Sequence, residues 1–111
     1  MDLNANVNRG KLSLLESTMN RIGNYEVKSE YAFYPGRNWR FDFAIPSHKV
    51  AIEVEGAVWS QNGRHTRLEG YLRDLEKYNA AASCGWKLIR VMPADLLSIK
   101  TIKMIVMACQ K

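Results

Sequence analysis

The chain has 111 residues and a mass of 12.7 kDa, enough for one compact domain and too little for two. Hydrophobic residues make up 47% of it and aromatic residues 10%, values that exclude a disordered chain. No apolar run approaches the roughly 20 residues of a membrane-crossing helix, and the N-terminus lacks the layout of a secretory signal. We therefore expect a cytoplasmic protein with a flexible N-terminus at 1–10 and a single domain at 11–111.

The charge balance is basic. Sixteen Lys and Arg against eleven Asp and Glu give a net charge of +5, and the isoelectric point is about 9.4. Such a balance favours a polyanionic partner such as nucleic acid. Small proteins are also basic for solubility alone, so the charge leaves both interpretations open.

The two cysteines, Cys84 and Cys109, are too few for a disulfide framework. Together with the two histidines they do not show the spacing of a zinc site. We expect two reduced, partly buried thiols.

The first half of the chain is predicted to hold one helix and three strands. Leu12, Leu15 and Met19 recur at helical steps, whereas the segments after them are rich in Tyr, Val and Phe or alternate between apolar and polar residues. Prolines at the ends of two of these segments mark turns. The predicted ranges are a helix at 11–22 and strands at 25–34, 39–45 and 49–55.

The second half is predicted to hold a mobile loop at 57–70, two helices and a strand. In the first of these helices a line of residues at helical spacing is expected to face the core; it consists of Leu72, Leu75, Asn79 and Ala82. The predicted ranges are a helix at 70–83, a strand at 86–92 and a last helix at 93–109. The order α-β-β-β-α-β-α predicts an α/β fold with a mixed sheet and a helix on each face.

Three acidic residues interrupt the apolar strands. Asp42 lies between two phenylalanines, and Glu53 and Glu55 point to the same side of their strand because side chains alternate. If the two strands pair as a hairpin, Asp42 lies beside the two glutamates. Buried carboxylates repel one another and are costly unless they are paired, and a hard divalent cation such as Mg²⁺ removes that cost. The sequence therefore indicates a metal site.

An exposed sheet face is the alternative for this cluster. Glu53 and Glu55 taken alone favour this alternative, because alternating apolar and charged residues are typical of the solvent side of an antiparallel sheet. Asp42 favours the metal site, because Asp is a poor strand former and yet lies in the middle of an aromatic strand.

Three motifs together resemble a known family. They are Arg-Phe-Asp-Phe at 40–43, Ile-Glu-Val-Glu-Gly at 52–56 and Gly-Trp-Lys-Leu-Ile-Arg at 85–90. Their order and spacing resemble the PD-(D/E)XK nuclease superfamily, in particular small members related to very-short-patch-repair endonucleases of bacteria and phages. The resemblance covers residues 11–95. It implies the restriction-endonuclease-like α-β-β-β-α-β core, followed here by a C-terminal helix.

The resemblance also implies a set of metal ligands. Asp42 and Glu53 match the two acidic ligands, and the main-chain carbonyl of Val54 completes the coordination of Mg²⁺, for which Mn²⁺ can substitute. The lysine of the superfamily motif is replaced here by Glu55, which would hold a second ion or orient the attacking water.

Two helical residues are further candidates for this site. Lys77, three residues after Asp74, is the candidate for a lysine moved onto the next helix; an ordinary surface ion pair is its alternative. Glu16 in the first helix matches the helix-borne acid that often joins the site, and a solvated helix acid is its alternative.

Basic and aromatic residues bracket the acidic cluster in the sequence. Such cations contact phosphates, and Trp59 in the loop is placed to stack on bases. Trp39 and Tyr34 are also nearby, with packing on the sheet as the alternative for Trp39. The candidate nucleic-acid-binding residues are Arg37, Arg40, Trp59, Arg64, His65, Arg67 and Arg73.

The leading hypothesis is a metal-dependent endodeoxyribonuclease with DNA as its partner and no membrane association. So small a domain favours structure-selective cutting at a junction, flap, nick or mismatch, in DNA repair, recombination or phage DNA processing. The alternatives are a catalytically inactive DNA-binding module and an acidic interaction domain. A homodimer through the last helix is possible, with packing of Ile102, Ile105 and Val106 on the sheet as the alternative.

Overall fold

A computed structural model of the protein describes residues 3–56 and 64–110, with side chains from 10 to 56 and from 68 to 110. The described residues form three helices and four strands. The helices are α1 at Leu3–Gly23, α2 at Arg64–Ser83 and α3 at Ile99–Cys109. The strands are β1 at Lys28–Ala32, β2 at Arg40–Ile45, β3 at Val50–Val54 and β4 at Lys87–Val91.

The four strands form one mixed sheet in the order β1-β2-β3-β4. The first three are antiparallel neighbours, and β4 is parallel to β3 because α2 carries the chain back across the sheet. The predicted α/β class, element order and mixed sheet are confirmed. Among the described residues, no helix is both long and apolar enough to cross a membrane.

The sheet separates two hydrophobic cores. On one face, Leu15 of α1 and Ile105 of α3 pack against Phe43, Val50 and Ile52 of the sheet. On the other face, the smaller core contains an alanine of α2 beneath a rim of aromatic side chains. The buried residues of this second core are Phe41, Ala44, Ala51 and Ala81.

The last helix packs on the sheet through the three apolar residues considered for a dimer interface. Ile105 is fully buried in the first core, and Ile102 and Val106 are partly buried against it. The packing alternative for these three residues is therefore the observed one. The helix also begins later than predicted, because Pro93–Asp95 forms a separate 3-10 turn and the Ser98 hydroxyl caps α3 by accepting from the Thr101 N–H at 3.2 Å.

Two predictions for α2 are wrong. The segment 64–70, predicted as loop, is helical, and 57–63 lies outside the described residues. The predicted core-facing line is also displaced: Leu72 and Leu75 are about half exposed, whereas Ala81 is buried. The helix instead turns Lys77 toward the sheet, where its ammonium reaches Glu53 and the Arg40 carbonyl, and hydropathy patterns count a lysine as polar although its stem can be buried.

Candidate functional site

Asp42 lies where β2 stops alternating. Phe41 packs into the second core and Phe43 into the first, although residues two apart on a regular strand share a face. The pairing of β2 with β3 ends at Phe43 and Ile52, and beyond it the Val54 N–H donates to Asp42 Oδ2 at 2.7 Å. The carboxylate therefore satisfies a main-chain donor at the point where the two strands diverge.

The neighbouring strand is distorted at the same level. Pairs on both sides of Asp42 join β1 and β2, and their register places Glu30 opposite Asp42. Glu30 has a φ of 48°, in the left-handed region that is costly for a residue with a side chain. The irregular backbone at the site thus involves two adjacent strands.

Glu53 is a buried carboxylate on the α2 side of β3. It is 6% exposed, and it shares its face of the strand with Ala51 of the second core. Burial, followed by a hydrogen bond with the Asp42 carboxyl, raises the pKa of Glu53 to about 7, against the opposing effect of Lys77. Asp42 and Glu53 therefore form an adjoining pair of carboxyl groups, of which Glu53 is the buried member with a raised pKa.

Lys77 reaches this pair from α2. Its ammonium donates to Glu53 Oε1 and to the main-chain carbonyl of Arg40, the latter at 2.6 Å. Its side chain is only 15% exposed, and the nitrogen lies 5.7 Å from the centre of the Phe41 ring. The surface pair with Asp74 is thus not what the structure shows, and the helical lysine lies at the acidic pair.

Glu55 does not join the acidic pair. Its N–H donates to the Val91 carbonyl at 2.7 Å, which ties this residue to β4, and its carboxylate Oε1 accepts from Nε of Arg90. The Arg90 guanidinium lies 4.7 Å from the ring centre of Tyr78, and the Lys77 ammonium lies 5.5 Å from the same ring. The Tyr78 ring therefore contacts two cations, Lys77, which binds Glu53, and Arg90, which binds Glu55.

The Tyr78 phenol remains protonated at ordinary pH. Burial raises its pKa, and the Glu53 and Asp74 carboxylates raise it further. Neither Tyr78 nor Arg90 was among the site residues predicted from the sequence. The signal for Arg90 was present, because it follows Leu88 by two positions and ends the third motif.

Glu16 is not brought to this cluster. It is exposed on α1, the helix that packs on the opposite face of the sheet. Its charge acts on Lys28, which pairs with Ala44 at the far end of β2 from Arg40. The solvated alternative is the observed one.

The side chains of three predicted nucleic-acid-binding arginines are described, and the remaining candidates lie in the part that is not. Arg37 stacks on Trp39, with 3.9 Å from its guanidinium carbon to the ring centre, and binds Glu76 at 2.7 Å; Arg40 and Arg73 are exposed. Trp39 in turn stacks on Phe33, in line with the packing alternative. The predictions that lie outside the described residues or side chains are Trp59, Arg64, His65 and Arg67.

The donor set fits a magnesium ion of the two-carboxylate kind. The described residues hold no group of three or more His, Cys, Asp or Glu arranged to bind a metal. Mg²⁺ is commonly bound through one or two carboxylates, with waters and substrate phosphates completing its shell. The adjoining carboxyls of Asp42 and Glu53 are such a pair, and a cation would favour the charged form of Glu53, which burial and the neighbouring Asp42 carboxyl disfavour.

No family model, curated protein or solved structure matches this chain.

Proposed function

We propose that the protein is a metal-dependent deoxyribonuclease of the PD-(D/E)XK type, in which Asp42, Glu53 and Lys77 form the reacting centre. The observation that carries the proposal is the contact of the Lys77 ammonium with one of two adjoining carboxyl groups. The resemblance implies this trio of groups, with the lysine supplied by α2 instead of the second motif. The basic net charge of +5 supports a nucleic-acid substrate.

The two carboxylates and the Val54 carbonyl are the groups that would hold Mg²⁺. When bound, the ion supplies positive charge to the reacting phosphate and lowers the pKa of a coordinated water. Asp42 is preorganised for this role, because the Val54 N–H already fixes the direction of its Oδ2. Glu53 must lose the proton that burial favours, so the site binds a cation more tightly as the pH rises.

Lys77 orients the attacking water and neutralises charge on the phosphate. An ammonium has three N–H donors, and the Glu53 and Arg40 acceptors use two of them. The third is available to a water or a phosphate oxygen that enters the site. Because both acceptors are themselves held by the sheet, the direction of that third donor is defined before the substrate binds.

The substrate class is DNA whose structure exposes a strand to the site formed by Asp42, Glu53 and Lys77. A domain of 111 residues offers little surface for reading a long sequence, so recognition of a junction, flap, nick or mismatch is the form of selectivity we propose. The second candidate is a DNA-binding module without cleavage, and the replacement of the motif lysine by Glu55 favours it.

The test is a cleavage assay on labelled duplex, single-stranded, flapped and four-way-junction DNA with Mg²⁺, Mn²⁺ or EDTA. Wild type is compared with Glu53→Gln and, as a matched control, Asp95→Asn, an exposed acid outside the site. We expect metal-dependent cutting that Glu53→Gln reduces by about 10³-fold or more and Asp95→Asn changes less than about twofold. Equal cutting by Glu53→Gln and wild type would overturn the proposal; binding without cutting would favour the second candidate.

A further inference from the structure

Arg90 lies beside the proposed reacting centre, on the neighbouring strand. The parallel register pairs it with Glu53, and Leu88, two positions earlier, packs against the second core on the α2 side. Because paired residues of adjacent strands share a face, Arg90 leaves the sheet on the side from which Lys77 approaches Glu53. A strand of nucleic acid that reaches Glu53 therefore passes this guanidinium.

The guanidinium is held on two sides. The Glu55 carboxylate accepts from Nε, and the face of the Tyr78 ring lies 4.7 Å from the guanidinium carbon. Stacking on an aromatic face fixes the plane of an arginine without using its donors. The Arg90 side chain is nevertheless 49% exposed, so its outer edge remains open to a ligand.

The open edge has the donors that phosphate recognition needs. Nη1 and Nη2 make no hydrogen bond to another described residue, and an arginine fork binds two phosphate oxygens in parallel. An ion pair exposed to this degree contributes about 0–1 kcal/mol to stability, so a structural role alone accounts poorly for the arrangement. Glu55 supplies a negative charge that an incoming phosphate can replace.

We propose that Arg90 binds a phosphate of the nucleic-acid strand at this site, and that Glu55 holds the guanidinium in place until the phosphate arrives. The inference deepens the proposed function and rests on it for the passage of the strand by Glu53. It assigns Glu55 a positioning role through Arg90 in place of the metal or water contact expected from the sequence.

The test is the binding of fluorescent single-stranded and duplex DNA in EDTA, measured by anisotropy over a range of NaCl concentrations. EDTA removes cleavage, so the measurement does not depend on nuclease activity. The variants are Arg90→Ala, Arg90→Lys and Glu55→Gln. The matched control is Lys103→Ala, an exposed cation on α3 at the opposite face of the sheet.

We expect Arg90→Ala to weaken binding about tenfold at about 0.1 M NaCl and to reduce the salt slope by about one. Arg90→Lys keeps the charge and the slope but loses the fork, so its affinity lies between those of wild type and Arg90→Ala. Glu55→Gln binds as tightly as wild type or up to about fivefold more tightly, because a competing charge is removed. Lys103→Ala changes the affinity by less than about twofold.

Three outcomes overturn the inference: unchanged affinity and slope in Arg90→Ala, weakening in Glu55→Gln equal to that in Arg90→Ala, or absence of DNA binding by the wild type. Circular dichroism of each variant shows that the fold is retained, and Arg90→Lys covers the case in which Arg90→Ala does not fold. If Arg90→Ala weakens binding while the wild type cuts no DNA with either metal, the phosphate site stands and the nuclease proposal fails.

Discussion

The ammonium of Lys77 on α2 meets the carboxylate of Glu53 on β3, 24 residues away in the chain. Both side chains are largely removed from water, with exposures of 15% and 8%. Removing one partner of such a pair leaves the other without compensation, and a carboxylate responds by taking up a proton. The contact therefore links the proposed chemistry, the folding of α2 onto the sheet and the pH dependence of stability.

Replacing Lys77 by Met is expected to abolish most cleavage while the fold is retained. The hydrophobic stem of Met fills the space of the lysine stem, but the donor to the attacking water is lost, which costs about 10²–10⁴-fold in rate. The measurement is initial cleavage rate, with circular dichroism as the check on folding. Lys103→Met, at an exposed position of α3, is the control and is expected to keep wild-type activity. Wild-type rates in Lys77→Met would contradict the role given to this lysine.

Stability is expected to fall as the pH rises from about 5 to 8. The pKa of Glu53 is about 7 in the folded protein and 4.5 as its ordinary value, so the folded state holds a proton that the unfolded state releases between these values. The contribution is fully present below the ordinary pKa and lost as the pH rises through the folded pKa, by about 1–3 kcal/mol.

The check is urea unfolding of wild type and Glu53→Gln at several pH values. Glutamine does not titrate, so the difference in unfolding free energy between the two proteins isolates Glu53. The unfolding free energy of wild type should decrease relative to that of Glu53→Gln as the pH increases. A difference that stays constant from pH 5 to 8 would show that Glu53 has its ordinary pKa.

Asp42 is expected to have separable structural and chemical roles. Asp42→Asn keeps an oxygen that accepts from the Val54 N–H but loses the charge, whereas Asp42→Ala leaves this donor without its partner. We expect Asp42→Ala to be about 1–2 kcal/mol less stable than Asp42→Asn in urea unfolding, while both variants lose cleavage. Equal stability of the two variants would show that the Val54 contact contributes nothing.

At position 30, glycine is expected to give a more stable protein than alanine. Glu30 has a φ of 48°, which glycine adopts without strain and alanine does not. Glu30→Gly should therefore be more stable than Glu30→Ala by about 1 kcal/mol in urea or thermal unfolding. A more stable alanine variant would mean that the strand relaxes to ordinary β geometry.

The sequence allowed the element order to be predicted, because it depends on local periodicity, and the proximity of Asp42 to Glu53, because a short hairpin joins their strands. It also indicated Lys77, since only one lysine lay suitably on the crossover helix. The contact of Glu55 with Arg90 was not predicted: strand alternation placed Glu55 with Glu53, but β3 ends at Val54, and the Glu55 N–H and carboxylate bind Val91 and Arg90 of β4.

The face that α2 turns toward the sheet could not be predicted from hydropathy patterns either. Leucines at 72 and 75 outweigh a lysine on any hydropathy scale, although both leucines are about half exposed and the Lys77 side chain is only 15% exposed. Glu30 carries no sequence signal for its left-handed backbone, and its position opposite Asp42 depends on the register of β1 and β2.

The alanines of the second core set the reach of the lysine. Ala51 of β3 and Ala81 of α2 belong to the core between the sheet and this helix, and each is almost completely buried. A valine at either position would increase the distance between α2 and the sheet. It would thereby move the Lys77 ammonium away from the Glu53 carboxylate while leaving the groups of the proposed reacting centre unchanged. Variants at these two small residues would thus tune activity through a distance alone, and engineering of the protein can begin there.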